Sequence, residues 1–263
     1  MTQAAGVTLI TGASGGIGAE LANVCAANGH ALALAARDGD KMRALARTIG
    51  ESGGRAPLVI PADLTKPGAA DELGEALARA NAAPAILINN AGYGLLGAAC
   101  DLDMDAQLGI VDLNIRALTE LTLRFLPQIV ASKGRILNVA SVAAFTPGPG
   151  MAVYYASKAY VLSFSQALHE ELRPVGVSVT ALCPGPVPTG FGARAGVTKD
   201  MAGGALVVDV GAVARYGYRA MMAGKRVAIP GALNQTLAAL LPFVPAAVKL
   251  PALARIQMRR RAP

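Results

Sequence analysis

A chain of 263 residues that is 53% hydrophobic and 16% charged can bury one sizeable core, which excludes a disordered chain and a domain too small to fold unaided. The absence of Trp and an aromatic share of 4% leave no stacking platform for single-stranded nucleic acid. The net charge of +7 is uneven: no Asp or Glu follows Asp209 while nine Lys and Arg do, a basic tail on a near-neutral body and not the basic stripe of a nucleic-acid surface.

In chain order, residues 7–11 form a compact apolar run with β-branched members, and 17–28 read as a helix closed by Gly29. Further apolar runs follow at 31–36, 58–62, 85–89, 135–140, 178–183 and 226–230, with helical stretches near 40–50, 67–80, 105–130, 154–173 and 209–223. The apolar runs are hydrophobic on both faces, as strands inside a parallel sheet must be. Their alternation with helices predicts one α/β domain over 1–230, a doubly wound parallel sheet of about seven strands with helices on both faces. Residues 231–263 are left as an apolar and basic C-terminal arm.

Thr11-Gly12-Ala13-Ser14-Gly15-Gly16-Ile17-Gly18 stands between the first strand and the first helix. Glycines there let the chain turn sharply and bring N–H groups to a pyrophosphate, with the positive end of the helix behind it. A plain strand–helix turn is the alternative. An acid about 20 residues on would bond a ribose hydroxyl and repel a 2′-phosphate. Here the second strand ends Ala35-Ala36-Arg37-Asp38, and a guanidinium can grip a phosphate through two hydrogen bonds. Otherwise Arg37 is a solvated loop charge or one neutralised by Asp38.

Tyr154 and Lys158 stand four apart and share one helical face. A free phenol titrates near ~10, too high for a base at neutral pH, and an adjacent ammonium lowers that value. Tyr155 has only Ala159 at the matching position. Cys25, Cys100 and Cys183 form no metal spacing and no even disulfide set, which fits a reducing cytoplasm. His30 and His169 have no neighbouring ligand types, so no metal is expected. Residues 1–10 carry no basic segment, so no secretory signal is expected.

The spacing Gly-x3-Gly-x-Gly after Thr11 resembles the fingerprint of the short-chain dehydrogenase/reductase family. Asn89-Asn90-Ala91-Gly92, Asn114, Ser141, Tyr154-x3-Lys158 and Pro184-Gly185 resemble that family's later motifs in the family's order, over about residues 7–190 and more loosely to 230. The resemblance implies a Rossmann-like fold and a nicotinamide cofactor held by Gly12, Ser14, Gly16, Ile17, Gly18, Arg37, Asp63, Asn90, Tyr154, Lys158, Pro184, Gly185 and Thr189. With Arg37 at the second strand's tip, NADP(H) is expected ahead of NAD(H). It implies that Tyr154 exchanges the proton, Lys158 lowers its pKa and binds the nicotinamide ribose, and Ser141 holds the substrate oxygen. Asn114 is implied to kink its helix and anchor a water that relays protons to Lys158. Asp63 is implied to contact adenine, with a helix cap after Thr65 as the alternative. Asn89 has a structural turn as its alternative, whereas Asn90 is expected near the cofactor. Thr189 is expected to reach the carboxamide or the phosphates. A homodimer or homotetramer through the 105–130 and 154–173 helices is implied as well.

Residues 142–151, with Tyr93, Leu95 and Leu96, would line an apolar pocket suited to a lipophilic carbonyl or alcohol, and 190–205 would form a substrate lid. The stretch 227–248 is free of charge, but Pro230, Pro242 and Pro245 interrupt any membrane span. An arm packed over the pocket or a partner subunit is expected, with peripheral membrane contact through Lys249, Arg255 and residues 259–261 as the alternative. The competing function is a non-catalytic nucleotide-binding redox sensor on the same fold.

Overall fold

The computed structural model of the chain describes residues 4–197 and 204–258. Seven strands, β1 (Ala5–Thr11), β2 (Leu32–Ala36), β3 (Leu58–Pro61), β4 (Ala82–Asn89), β5 (Arg135–Val139), β6 (Ser178–Leu182) and β7 (Val227–Ala228), form one sheet in the order β3-β2-β1-β4-β5-β6-β7. Every pairing is parallel. The strand order therefore reverses between β1 and β4, and a crevice opens at the carboxyl ends there.

Successive strand residues point to opposite faces, which explains why the strands read as unbroken apolar runs. Leu9, Leu87 and Ile136 pack with Leu73 and Leu77 of α3 (Ala69–Arg79), Leu121, Phe125 and Ile129 of α5 (Leu118–Ala131), and Leu168 and Leu172 of α6 (Ala152–Leu172). Their neighbours Ile10, Ile88 and Leu137 pack instead with Leu21 and Cys25 of α1 (Gly16–Ala27), Met42 and Ile49 of α2 (Gly39–Glu51), and Val213 and Met221 of α8 (Val210–Met222). This is the predicted doubly wound, Rossmann-like sheet with a core on each side. Each fully buried Leu or Ile contributes about 1.5–3 kcal/mol to it.

Three elements depart from the sequence reading. The 105–130 helix is α4 (Met104–Val111), a π-helical turn (Asp112–Ala117) and α5 in succession, with Pro127 inside α5. The strand expected at 226–230 is only two residues long. The C-terminal arm folds into α9 (Ala232–Leu240), a 3-10 turn (Leu241–Phe243) and α10 (Ala246–Met258). Pro242 falls in that 3-10 turn and Pro245 just before α10, so prolines divide the apolar stretch into short helices. Among the described residues no helix is long and apolar enough to cross a membrane.

Candidate active site

The crevice has a volume of about 1520 Å³ and is lined by the Gly loop, the ends of β2, β3, β4 and β5, the start of α6 and the segment after β6. At its floor, Gly12 and Gly16 have φ of +65° and +55°, the left-handed region that side chains resist. A Cβ on Gly12 would stand 2.8 Å from the Ala91 backbone, and one on Gly18 would overlap Asn90 and the Gly12 carbonyl. Glycine at 18 thus lets α1 lie close against the sheet. No side chain caps α1, and nothing stands within 4 Å of a Cβ position at Gly15. Such a cradle of main-chain N–H groups at a helix N-terminus fits a dinucleotide pyrophosphate.

Asn90 reinforces the cradle by donating Nδ2 to the carbonyls of Thr11 and Gly12 at 3.0 and 3.1 Å. Asn89 lies one residue earlier and points away, to Thr122 and Asn138 at 3.0 and 2.9 Å, so it braces the sheet against α5. The structure accordingly separates the two asparagines into a crevice residue and a structural one.

At the outer end, Arg37 lines the crevice. Asp38 does not neutralise it. Its carboxylate caps α2 at Lys41 N, 3.0 Å away, and pairs with Lys41 Nζ at 2.9 Å. Asp63 also lines the crevice, but its Oδ1 accepts from both Thr65 N (3.1 Å) and Thr65 Oγ1 (2.7 Å). Those bonds, and to a lesser degree Arg37, hold its carboxyl below the usual range. Asp63 is therefore not the cap of α3, whose first residue is Ala69 and whose N-cap is Gly68.

At the inner end three candidates meet. Ser141 follows β5, accepts from Ala143 N at 3.1 Å, donates to the Pro184 carbonyl at 3.4 Å, and stands near enough to Tyr154 to act on its hydroxyl. Lys158, 5% exposed, donates Nζ to the Val139 carbonyl at 2.8 Å and lies 5.8 Å from the Tyr154 ring centroid. Burial pushes the Tyr154 hydroxyl up to about 12, opposed by the Ser141 side chain. The downward shift expected from Lys158 is not found: the causes acting on Tyr154 are desolvation, Ser141 and Tyr155, and Lys158 is not among them. The ammonium itself is brought down to about 8 by the same burial.

Asn114 sits in the π-helical turn, where the sequence led to the expectation of a kink. Its side chain accepts from Tyr93 N (3.1 Å) and donates to Tyr93 O (3.0 Å) and Ser157 Oγ (2.9 Å). Ser157 Oγ in turn donates to Tyr154 O at 2.7 Å. The Asn114 amide is thus committed to fixing the β4 loop against α6.

Pro184 and Gly185 line the crevice after β6, and a Cβ on Gly185 would collide with Asn234 of α9. Thr189 caps α7 (Gly190–Ala195) through Phe191 N at 3.3 Å and packs its methyl on Gly16. It therefore stands beside the Gly loop. α7 crosses to the opposite rim, where Ala195 O accepts from Leu96 N at 2.9 Å. Phe191 lies 5.3 Å from the Tyr154 ring, and the Arg194 guanidinium sits 4.4 Å above the Tyr93 ring. Residues 198–203 of the expected lid lie outside the described residues.

Sequence reasoning missed Gln257 and singled out Arg194 only as part of the expected 190–205 lid; both line the crevice. Neither belongs to a local pattern. Phe191 fell only within the expected lid.

Fold and site together define a dinucleotide-binding α/β protein with a Ser–Tyr–Lys group at the crevice. Residues 6–200 match the short chain dehydrogenase family. An uncharacterized oxidoreductase of Staphylococcus aureus is 32% identical over 184 residues, 70% of this chain and 78% of that protein. A short-chain dehydrogenase from Sphingobium yanoikuyae, solved in complex with NADPH, is 34% identical with a TM-score of 0.79 over 92% of this chain and 97% of that one. A bulky-bulky ketone specific alcohol dehydrogenase from Comamonas testosteroni is 32% identical, TM-score 0.75, over 95% and 99% of the two chains. The chain belongs to the short chain dehydrogenase family, and as such is a nucleotide-binding oxidoreductase.

Proposed function

We propose that the chain transfers hydride between NADP(H) and a bulky, lipophilic ketone or the matching secondary alcohol. The observation that carries this is the gathering of Ser141, Tyr154 and Lys158 at one end of a crevice whose other end presents Arg37. A non-catalytic sensor has no use for such a group. The solved relatives described with NADPH and as specific for bulky ketones support the same reading.

The nicotinamide supplies or accepts the hydride when bound. The Gly12–Gly18 cradle and Thr189 would hold its pyrophosphate, Arg37 a 2′-phosphate, and Lys158 the ribose next to the reactive ring. For this chain's part, Tyr154 is protonated at neutral pH because burial raises it to about 12, so it stands ready as the acid for ketone reduction. Its hydroxyl gives a proton to the developing alkoxide, and Ser141 donates a hydrogen bond to that same oxygen. Phe191, Met151 and Leu96 pack with Tyr154 and give its ring an apolar surround at the crevice wall.

The test is a panel of lipophilic ketones and alcohols assayed with NADPH and NADH, with Tyr154→Phe as control. Tyr154→Phe is expected to lower kcat by roughly 10²–10⁴-fold while still binding NADPH. Full turnover by that variant overturns the mechanism.

A further inference from the structure

Two arginines converge on the crevice from different elements. Arg37 follows β2 and Arg194 is carried by α7, and both side chains line the same cavity. Among the described residues neither enters an ion pair or a hydrogen bond. Their charges nonetheless act on each other: burial, and after it Arg37, lower the Arg194 guanidinium from its usual value, with Tyr93 and Asp63 opposing. Asp63 is the carboxylate that feels Arg37 and acts on Arg194, but its Oδ1 is already taken by Thr65.

Arg194 is held in that position. Its guanidinium lies 4.4 Å from the Tyr93 ring centroid. Tyr93 is itself fixed, donating its N–H to Asn114 Oδ1 at 3.1 Å and its hydroxyl to the Ala106 carbonyl at 2.7 Å. Stacking engages the face of a guanidinium and leaves the N–H donors around its edge. α7 is tied at both ends, by Thr189 against Gly16 and by the Ala195 carbonyl accepting from Leu96 N at 2.9 Å. Two like charges brought together repel until an anion lies between them. Two planar forks with unspent donors are suited to one phosphate.

We infer that Arg194 shares the 2′-phosphate of NADP(H) with Arg37, one guanidinium from α7 and one from the end of β2. This inference rests on the NADP(H) reading above. Arg194 is then a cofactor-selecting residue, carried on the same short helix whose Phe191 stands 5.3 Å from the Tyr154 ring.

The experiment titrates the full chain calorimetrically with two matched pairs, NADPH with NADH and adenosine 2′,5′-bisphosphate with 5′-AMP. Wild type is expected to prefer the 2′-phosphorylated member of each pair. Arg194→Gln is expected to cut that preference about tenfold, the effect of one charge-assisted hydrogen bond at a site open to solvent. Affinity for NADH and 5′-AMP is expected to be unchanged. Arg194→Lys keeps the charge without the planar fork and is expected to recover part of the loss. If Arg194 only steadies α7, or meets the pyrophosphate, both members of a pair weaken together and the preference persists, which overturns the inference. A preference abolished by Arg37→Asp yet untouched by Arg194→Gln keeps the NADP(H) reading and overturns the inference alone. A wild type that binds 5′-AMP as tightly as the bisphosphate, and NADH as tightly as NADPH, sinks both.

Discussion

Replacing Lys158 with Met isolates one buried ammonium. In the folded chain, burial lowers Lys158 to about 8, whereas an unfolded lysine titrates near ~10.4. Between those values the unfolded chain keeps a proton that the folded chain has released, so unfolding free energy rises with pH across the window. Below the folded value both states hold the proton, and the burial penalty stays constant. The gap of about 2.4 units, at about 1.4 kcal/mol per unit, amounts to just over ~3 kcal/mol in full, of which about 2–3 kcal/mol is gained between roughly pH 7 and 10. Lys158→Met removes this contribution and leaves the other titrating groups in place. It also leaves the Val139 carbonyl without its Nζ donor, a loss of about 1–3 kcal/mol that does not vary with pH. The informative quantity is therefore the slope. Urea unfolding followed by far-UV circular dichroism at several pH values should show wild type gaining about 2–3 kcal/mol on the variant over that range. Parallel curves for the two proteins would refute the burial of a titrating Lys158.

Arg37→Asp should shift the NADPH-to-NADH preference toward NADH by roughly tenfold to a hundredfold, the loss of a charge-assisted phosphate contact; fluorescence titration of both dinucleotides checks this, and an unchanged ratio removes Arg37 from cofactor selection. Gly148→Ala should displace the Tyr155 ring and lower stability by about 1–3 kcal/mol, visible as a reduced Tm; an unaltered Tm would contradict the close packing there. Met104, Leu108 and Val111 expose an apolar row on α4, at 68, 52 and 37%, which supports self-association through that helix. Leu108→Glu should therefore convert an oligomer to monomer in size-exclusion chromatography with light scattering, and a monomeric wild type would discard the interface.

The sheet was legible because both of its faces are covered. Each strand had to be apolar at odd and even positions, and Leu9 with Ile10 or Leu87 with Ile88 now supply opposite cores. The Gly loop and Tyr154–Lys158 were legible because strand–turn–helix geometry and a four-residue helical spacing are local. What depends on distant chain segments was not. The direction of the Tyr154 shift follows from the side chains closing over it, among them Phe191 of α7. The prolines of the arm masked α9 and α10, since neither shows a clean apolar period. Gln257 is one amide in an apolar and basic tail, and only folding brings it to Tyr155. The π-helical turn left no mark beyond Asn114 itself.

One residue of the crevice lining, Gln257, belongs to a segment that takes no part in the sheet, since the last strand pairing ends at Ala228. Asn234 fastens that segment through the Pro230 and Leu206 carbonyls at 3.0 and 3.1 Å. Provided that fastening is kept, the remainder can be grafted, shortened or randomised while the dinucleotide half stays intact. Changes in α9 and α10 are therefore expected to leave the sheet and its Gly loop in place.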